Sequence, residues 1–234
     1  MKILGISGSP RKEEQSGVYQ TVKAVLDATG LDYELISLRG KKIGGCIACL
    51  KCAEDNVCKV KDDMEELREK IVEADAYVIG APNYYSGINA LTRAFLERWF
   101  QFRHREGNLL WGKRAVAVGI GGTSGVPPAE EIEMYMMYNF IKPVARVTGQ
   151  GAASCYSCGF GHECKVGIPY MLYGDEAKNK VLQELAPDVR KDRELMNSAR
   201  RAGELLARDL AECSREEVTR EMQKLLFEKM KESV

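Results

Sequence analysis

The chain has 234 residues, enough for one sizeable core, and its 34 lysines and arginines equal its 34 aspartates and glutamates. That balance excludes nucleic-acid or anionic-membrane binding driven by net charge, and no apolar run approaches the length of a membrane span. Eight cysteines in a chain whose first residues run straight into a strand read as metal or redox ligands rather than disulfides, so a cytoplasmic setting is expected. Taken in chain order, short apolar runs bounded by glycine or proline alternate with helical periodicity, the pattern of a parallel sheet wrapped by helices. Five strands are predicted: Lys2–Ser7, Tyr33–Leu38, Ala76–Ala81, Ala115–Ile120 and, roughly, Val147–Ala153.

Four apolar stripes at helical spacing lie between or beside these strands. They are Val18, Val22, Val25 and Leu26; Met64, Leu67, Ile71 and Val72; Ile88, Leu91, Phe95 and Trp99; and Ile132, Tyr135, Met136 and Phe140. The fold class is therefore α/β, a flavodoxin-like doubly wound five-stranded parallel sheet of order 2-1-3-4-5 with a C-terminal helical extension. In such a sheet ligands bind at the carboxyl ends of the strands. Beyond Pro187, Met196, Ala199, Ala202, Leu206 and Leu210 stripe one helix. Ser214-Arg-Glu-Glu217 has the form of a capping box opening another, with Val218, Met222, Leu225, Leu226 and Met230 on its apolar face. That last helix exceeds what the sheet needs and is expected to pack on a neighbouring subunit.

Between the second strand and the following helix, Cys46, Cys49, Cys52 and Cys58 are spaced C-x2-C-x2-C-x5-C. A cubane iron–sulfur cluster needs four thiolates converging on one small object, which a short loop supplies. Structural zinc usually draws two C-x2-C pairs from separated segments, so the spacing points to a [4Fe–4S] cluster, with zinc and free thiols as alternatives. The polar neighbours Lys51, Glu54, Asp55 and Asn56 argue against four cysteines serving as small core hydrophobes. Asp62-Asp63 reads as the first turn of a helix.

The first strand ends in Ser7-Gly8-Ser9-Pro10-Arg11-Lys12, with Ser16-Gly17 opening a helix. A Ser/Gly turn before a helix N-terminus offers N–H groups and hydroxyls to an anion, and Arg11 and Lys12 add charge. It is neither a Walker sequence nor a G-x-G-x-x-G fingerprint, and alone it is equally plain turn chemistry. Two further loops follow neighbouring strands: Pro82-Asn83-Tyr84-Tyr85-Ser86-Gly87, and Gly121-Gly122-Thr123. Aromatic rings and exposed backbone amides there suit a flat heteroaromatic ring.

Together Ser7–Lys12, the cysteine spacing, Asp62-Asp63-Met64 and Ala81–Gly87 resemble the NADPH-dependent FMN reductase superfamily and, within it, the iron–sulfur flavoproteins, over roughly residues 1–155. The resemblance implies FMN, a [4Fe–4S] cluster on the second-strand loop, and a homodimer or a tetramer built as a dimer of dimers. It implies phosphate contacts from Ser7, Ser9, Arg11 and Lys12, ring contacts from Pro82 to Gly87, and a third loop from Gly121 to Thr123. The family's Asn-Thr or Asn-Ser pair is replaced here by Gln15-Ser16-Gly17, which leaves Ser16 to reach the phosphate. Residues 1–190 then form an FMN-binding domain carrying cysteine loops at 44–60 and 155–164, and 191–234 the C-terminal helices.

A second group follows the fifth strand: Cys155, Cys158, His162 and Cys164. Three thiolates and an imidazole suit a Cys₃His zinc site or an iron–sulfur cluster, and Cys155/Cys158 alone form a C-x-x-C redox pair. Cys213 reads as a buried structural residue and His104, within Arg103-His104-Arg105, as a surface one. With no side chain in a nucleophile or general-base arrangement, the cofactors carry the chemistry. The expected activity is an oxidoreductase that passes electrons from a ferredoxin or NAD(P)H donor to oxygen, peroxide, a quinone or a small organic acceptor. The rival readings are a non-catalytic electron-transfer flavoprotein and a zinc-stabilised flavin-binding module.

Overall fold

The computed structural model describes residues 1–105 and 107–232. Five parallel strands make the sheet: β1 (Lys2–Ser7), β2 (Asp32–Ser37), β3 (Ala76–Tyr84), β5 (Arg114–Gly121) and β6 (Lys142–Gln150). Their order is β2-β1-β3-β5-β6, with a two-residue β4 (Gly87–Ile88) folding back on β3. With β4 set aside this is the expected doubly wound order. Each parallel pair needs a crossover, and the helices supply them: α1 (Gly17–Thr29), α2 (Met64–Glu73), α3 (Ala90–Glu97) and α4 (Val126–Tyr138). The last residues carry two short helices, α5 (Ile168–Tyr173) and α6 (Leu182–Leu185), then two long ones, α7 (Arg193–Glu212) and α8 (Arg215–Glu232).

Alternation along the strands sends side chains to two faces. Leu4 and Ile6 of β1 join Met64, Leu67 and Ile71 of α2, Phe95 of α3, and Ile132 and Met136 of α4 on one face. Ile3, Val78, Val116 and Val118 meet Val18, Val22, Val25 and Leu26 of α1 and Leu195, Ala199 and Leu206 of α7 on the other. A knot of edge-on aromatic rings anchors the turns that follow α3. Trp99 lies 5.0 Å from Tyr77, 5.6 Å from Phe95 and 6.2 Å from Phe102, centroid to centroid. Such pairs add about 0.5–1.5 kcal/mol each beyond their buried area.

Four expectations need correction. The fifth strand starts five residues earlier than read, because it is an edge. Lys142 pairs there with Asp209 and Glu221, and Arg146 with Glu130 and Glu133; charged side chains guard an exposed sheet edge and hide the apolar run. Ile88 belongs to a hairpin rather than a helix stripe, its N–H donating to the Glu131 carboxylate at 2.9 Å. The third is α8, which packs on its own chain. Its capping box forms as read, with Ser214 N–H donating to Glu217 Oε2 at 2.9 Å and Glu217 N–H to Ser214 Oγ at 3.2 Å. Val218, Met222 and Leu226 are buried, and the Arg215 guanidinium donates to the carbonyls of Asn108, Leu109 and Trp111. Leu225 and Phe227 stay exposed, and the side chain of Met230 lies outside the described residues. Cys213 caps α7 half-buried, outside the core.

Candidate functional site

A cleft of about 410 Å³ opens at the carboxyl ends of β1, β3, β5 and β6, where a doubly wound sheet reverses its winding. From the first loop it receives Ser9, Pro10, Arg11, Gly17 and Val18. The loop is fixed from below: Gly8 N–H donates to Gly80 O at 2.8 Å, and Asn89 Nδ2 donates to Gly8 O at 2.9 Å. Ser9 Oγ accepts the Arg11 N–H at 3.2 Å. The first N–H groups of a helix have no intrahelical acceptor. At α1, Ser16 Oγ takes the Tyr19 N–H at 3.1 Å, which leaves those of Gly17 and Val18 at the cleft wall. Ser7, immediately before the loop, is 1% exposed and its hydroxyl has no partner among the described residues. An orphaned buried hydroxyl, unpaired helix amides and a guanidinium fit an anionic group.

Pro82, Asn83, Tyr84, Tyr85 and Ser86 form the second wall. The β3–β4 hairpin turns on Tyr85 and Ser86, both with positive φ (52° and 60°). Two-residue hairpin turns need that geometry and normally use Asn and Gly for it. Asn83 ties this hairpin to the β5 loop: its Oδ1 accepts the Ser86 N–H at 3.0 Å and its Nδ2 donates to Ser124 O at 2.6 Å. The third wall is Gly121, Gly122 and Thr123. A side chain's first carbon at Gly121 would stand 2.0 Å from Ser124 O, so only glycine permits this tight turn.

Of the residues anticipated from sequence, Ser7, Lys12 and Gly87 fall outside the lining, and Ser16 serves α1 as its cap and lines an adjoining cavity instead. Sequence reasoning missed the fourth wall, Gly151, Ala152, Ala153 and Ser154, together with Ile168. Small residues after an edge strand carry no signal of their own; only the fold brings them there.

The first cysteine loop runs along the segment after α3. Cys52 is buried, Cys58 half-buried, Cys46 and Cys49 exposed. Ala48 and Leu50, flanking Cys49, both take left-handed backbone (φ 53° and 56°). Burial, with the like charge of Cys58, Cys46 and Cys49 nearby, pushes the Cys52 thiol up. Among the described residues no three Cys, His, Asp or Glu side chains stand in metal-holding geometry. The loop is nonetheless pinned. Cys46 N–H donates to Glu97 Oε2 at 3.3 Å and Cys58 N–H to Gln101 Oε1 at 3.0 Å. Arg98, its side chain 1% exposed, pairs with Asp62 at 2.6 Å and donates to Gly44 O and Val60 O. Burial alone would raise the Asp62 carboxyl, but Arg98 and the N–H groups of Gly44 and Met64 outweigh it and hold the group below its ordinary value. His104, read as a surface residue, is half-buried, and its Nε2 lies 3.3 Å from Cys52 Sγ.

The second cysteine loop lies between two cleft residues, Ser154 and Ile168. Gly159 is left-handed (φ 87°), and Cys158 Sγ accepts the Phe160 N–H at 3.4 Å. His162 Nε2 is 3.0 Å from Lys180 O. Phe160, Val166, Met171 and Leu172 are exposed. Among the described residues no helix is long and apolar enough to cross a membrane.

A model of the NADPH-dependent FMN reductase family matches residues 1–148. An iron–sulfur flavoprotein of Methanocaldococcus jannaschii is 34% identical over 148 residues, covering 60% of this chain and 71% of that protein. An iron–sulfur flavoprotein of Archaeoglobus fulgidus is 30% identical over 147 residues, covering 63% of this chain and 75% of that protein. Among solved structures, RosB with bound 8-demethyl-8-formylriboflavin-5'-phosphate matches with a TM-score of 0.60 at 14% identity, over 96% of this chain and 81% of that one. At that identity the likeness is one of fold.

Proposed function

The chain belongs to the NADPH-dependent FMN reductase family and is a flavin-dependent oxidoreductase; on that premise we propose that it works with FMN and a [4Fe–4S] cluster, passing electrons from a ferredoxin or NAD(P)H donor to a small acceptor. The observation that carries the reading is the cleft at the strand ends, where unpaired α1 amides, Ser9 and Arg11 face the loops of Asn83–Ser86 and Gly121–Thr123. Arg11 and the Gly17 and Val18 amides would hold the phosphate, with Ser7 and Ser9 supplying hydroxyls. The hairpin and the β5 loop would orient the ring, Asn83 fixing the distance between them. Tyr84 and Tyr85, both exposed, would flank the ring at one side of the mouth. Cys46, Cys49, Cys52 and Cys58 are the proposed cluster ligands. Four thiols on one pinned loop are the donor set a cubane takes, and the related proteins named iron–sulfur flavoproteins support the assignment. Once bound, flavin and cluster together supply exchange between two-electron and one-electron redox partners.

The second cysteine group is a further metal proposal, zinc or iron–sulfur. Its support is His162: with Nε2–H donating to Lys180 O, Nδ1 keeps the lone pair a metal needs, and a backbone carbonyl is the usual partner of a ligating imidazole. A homodimer or tetramer is proposed on the exposed apolar residues Ile47, Leu50, Met134 and Tyr138 around the first loop.

Iron, acid-labile sulfide, zinc and flavin per chain, measured on protein purified without oxygen, test these readings. One FMN with about four iron and four sulfide, and loss of that iron with retention of FMN in Cys49→Ala, is the expected result. Full iron in Cys49→Ala would overturn the ligand set. Zinc in place of iron would make the cysteine loops structural and remove the one-electron step.

A further inference from the structure

We propose that His104 is a positioning residue for the cluster, donating a hydrogen bond from Nε2 to the Cys52 sulfur and thereby raising the cluster's reduction potential. The inference rests on Cys46, Cys49, Cys52 and Cys58 being the cluster ligands. It adds a role for a residue 52 positions away in sequence from the sulfur it touches.

The geometry carries it. Cys52 Sγ and His104 Nε2 stand 3.3 Å apart. A metal-bound thiolate offers only lone pairs, so the imidazole must be the donor, which fixes the proton on Nε2. The ring has contacts besides the sulfur. His104 N–H donates to Asn56 Oδ1 at 3.0 Å, and Asn56 O is itself held by Arg68 Nε and Nη2 at 3.3 and 3.2 Å. The ring stands edge-on to Phe100, centroids 4.6 Å apart at 87°. The backbone that carries it continues the turns anchored by Trp99 and Phe102 in the aromatic knot.

The physical consequence follows from burial. Cys52 is the one buried member of the four thiols, so a donor aimed at it acts where water screens least. Reduction adds one negative charge that spreads over the cluster and its sulfurs. A fixed N–H dipole favours the more negative state, and hydrogen bonds to the sulfurs are among the levers that set cluster potentials. Cys46 and Cys49 face solvent, where a protein donor would compete with water. The buried position is therefore where a single side chain exerts the largest effect.

The test compares holo wild-type protein with His104→Leu and His104→Gln, all purified without oxygen. Iron and sulfide are counted first, and the cluster is then titrated spectroelectrochemically. With iron unchanged, the reduced-to-oxidised ratio of His104→Leu at a fixed potential is expected to fall roughly tenfold, a shift of about 59 mV for one electron. His104→Gln keeps a side-chain N–H donor and recovers most of that shift. The backbone bond to Asn56 survives in both variants, so a merely structural role would not move the potential in this pattern. A full-iron Leu variant at the wild-type potential would overturn the donor role. Should the Leu variant fail to hold iron, wild-type protein labelled with ¹⁵N-histidine reads the bond without substitution. Hyperfine coupling of a ring nitrogen to the reduced cluster, absent in His104→Gln, supports it; no coupling overturns it. A wild-type protein without iron and sulfide would overturn the cluster assignment, and this inference with it.

Discussion

The two cysteine loops leave opposite edges of one sheet, after β2 and after β6, and they are held in opposite ways. The first is fastened by side chains from elsewhere: Glu97, Arg98 and Gln101 grip Cys46, Gly44, Val60 and Cys58, and the His104 N–H donates to the loop's own Asn56. The second is built from its own turns, with Cys164 N–H on Phe160 O and Gly167 N–H on Cys164 O, and one outside tie at Lys180. Its large apolar side chains mostly face solvent. The family match covers the first loop and ends at Thr148, before the second. A loop fastened by a buried ion pair is held by the protein itself; a loop with almost no core of its own would depend more on any ligand it binds.

The sharpest way to break this contrast is Arg98→Met. It strands Asp62, whose side chain is 13% exposed, and should cost about 3–5 kcal/mol in denaturant unfolding. Thiol-labelling rates at Cys46 and Cys49 should rise while those at Cys155 and Cys158 stay constant. Equal acceleration at both loops would show that they are one cooperative unit.

Acid is a milder probe. The folded-state Asp62 carboxyl sits below its ordinary value of 3.8, so its contribution is fully present above that pH and is lost as pH falls through the lower, folded value. The Gly44 amide, which donates to Asp62 Oδ2 at 3.0 Å, should keep its hydrogen-exchange protection down to pH 3.8 and lose it only as the pH falls further, through the lowered folded value. The Phe160 amide, bonded to Cys158 Sγ, should keep whatever protection it has.

The smallest effect is expected from Gly159→Ala. At φ 87° a first side-chain carbon costs about 1–2 kcal/mol, and it falls on the second loop alone. Limited trypsin digestion should cut faster at Lys165, with the global unfolding midpoint little changed. A matching drop in global stability would mean that the second loop is fastened to the core after all.

Much of the core was legible because central strands are apolar on both faces and run uninterrupted. β1 and β5 fall within a residue of their predicted bounds. The start of β6 was not legible, since Lys142, Pro143 and Arg146 break its apolar run, and the carboxylates facing Lys142 and Arg146 explain the charges there. Three cleft loops could be read because glycine, serine and aromatic residues follow strands in the right order. The Gly151–Ser154 wall could not, because its small residues acquire meaning only from where β6 ends. Arg98 and His104 were equally silent: a charge inside an aromatic helical run looks solvated until the cysteine loop is folded against it.

The Tyr85–Ser86 turn sets durability and design against one another. Both positions hold a backbone shape that glycine adopts more readily, and Tyr85 is fully exposed, with a relative accessibility of 106%, so its ring returns nothing to the folded chain by burial. A library sorted only for heat tolerance would therefore converge on glycine at 85 and 86, and its winners would outlast the parent while keeping only Tyr84 of the two rings at the mouth of the cleft. Engineering this scaffold for robustness requires those two codons to be held constant.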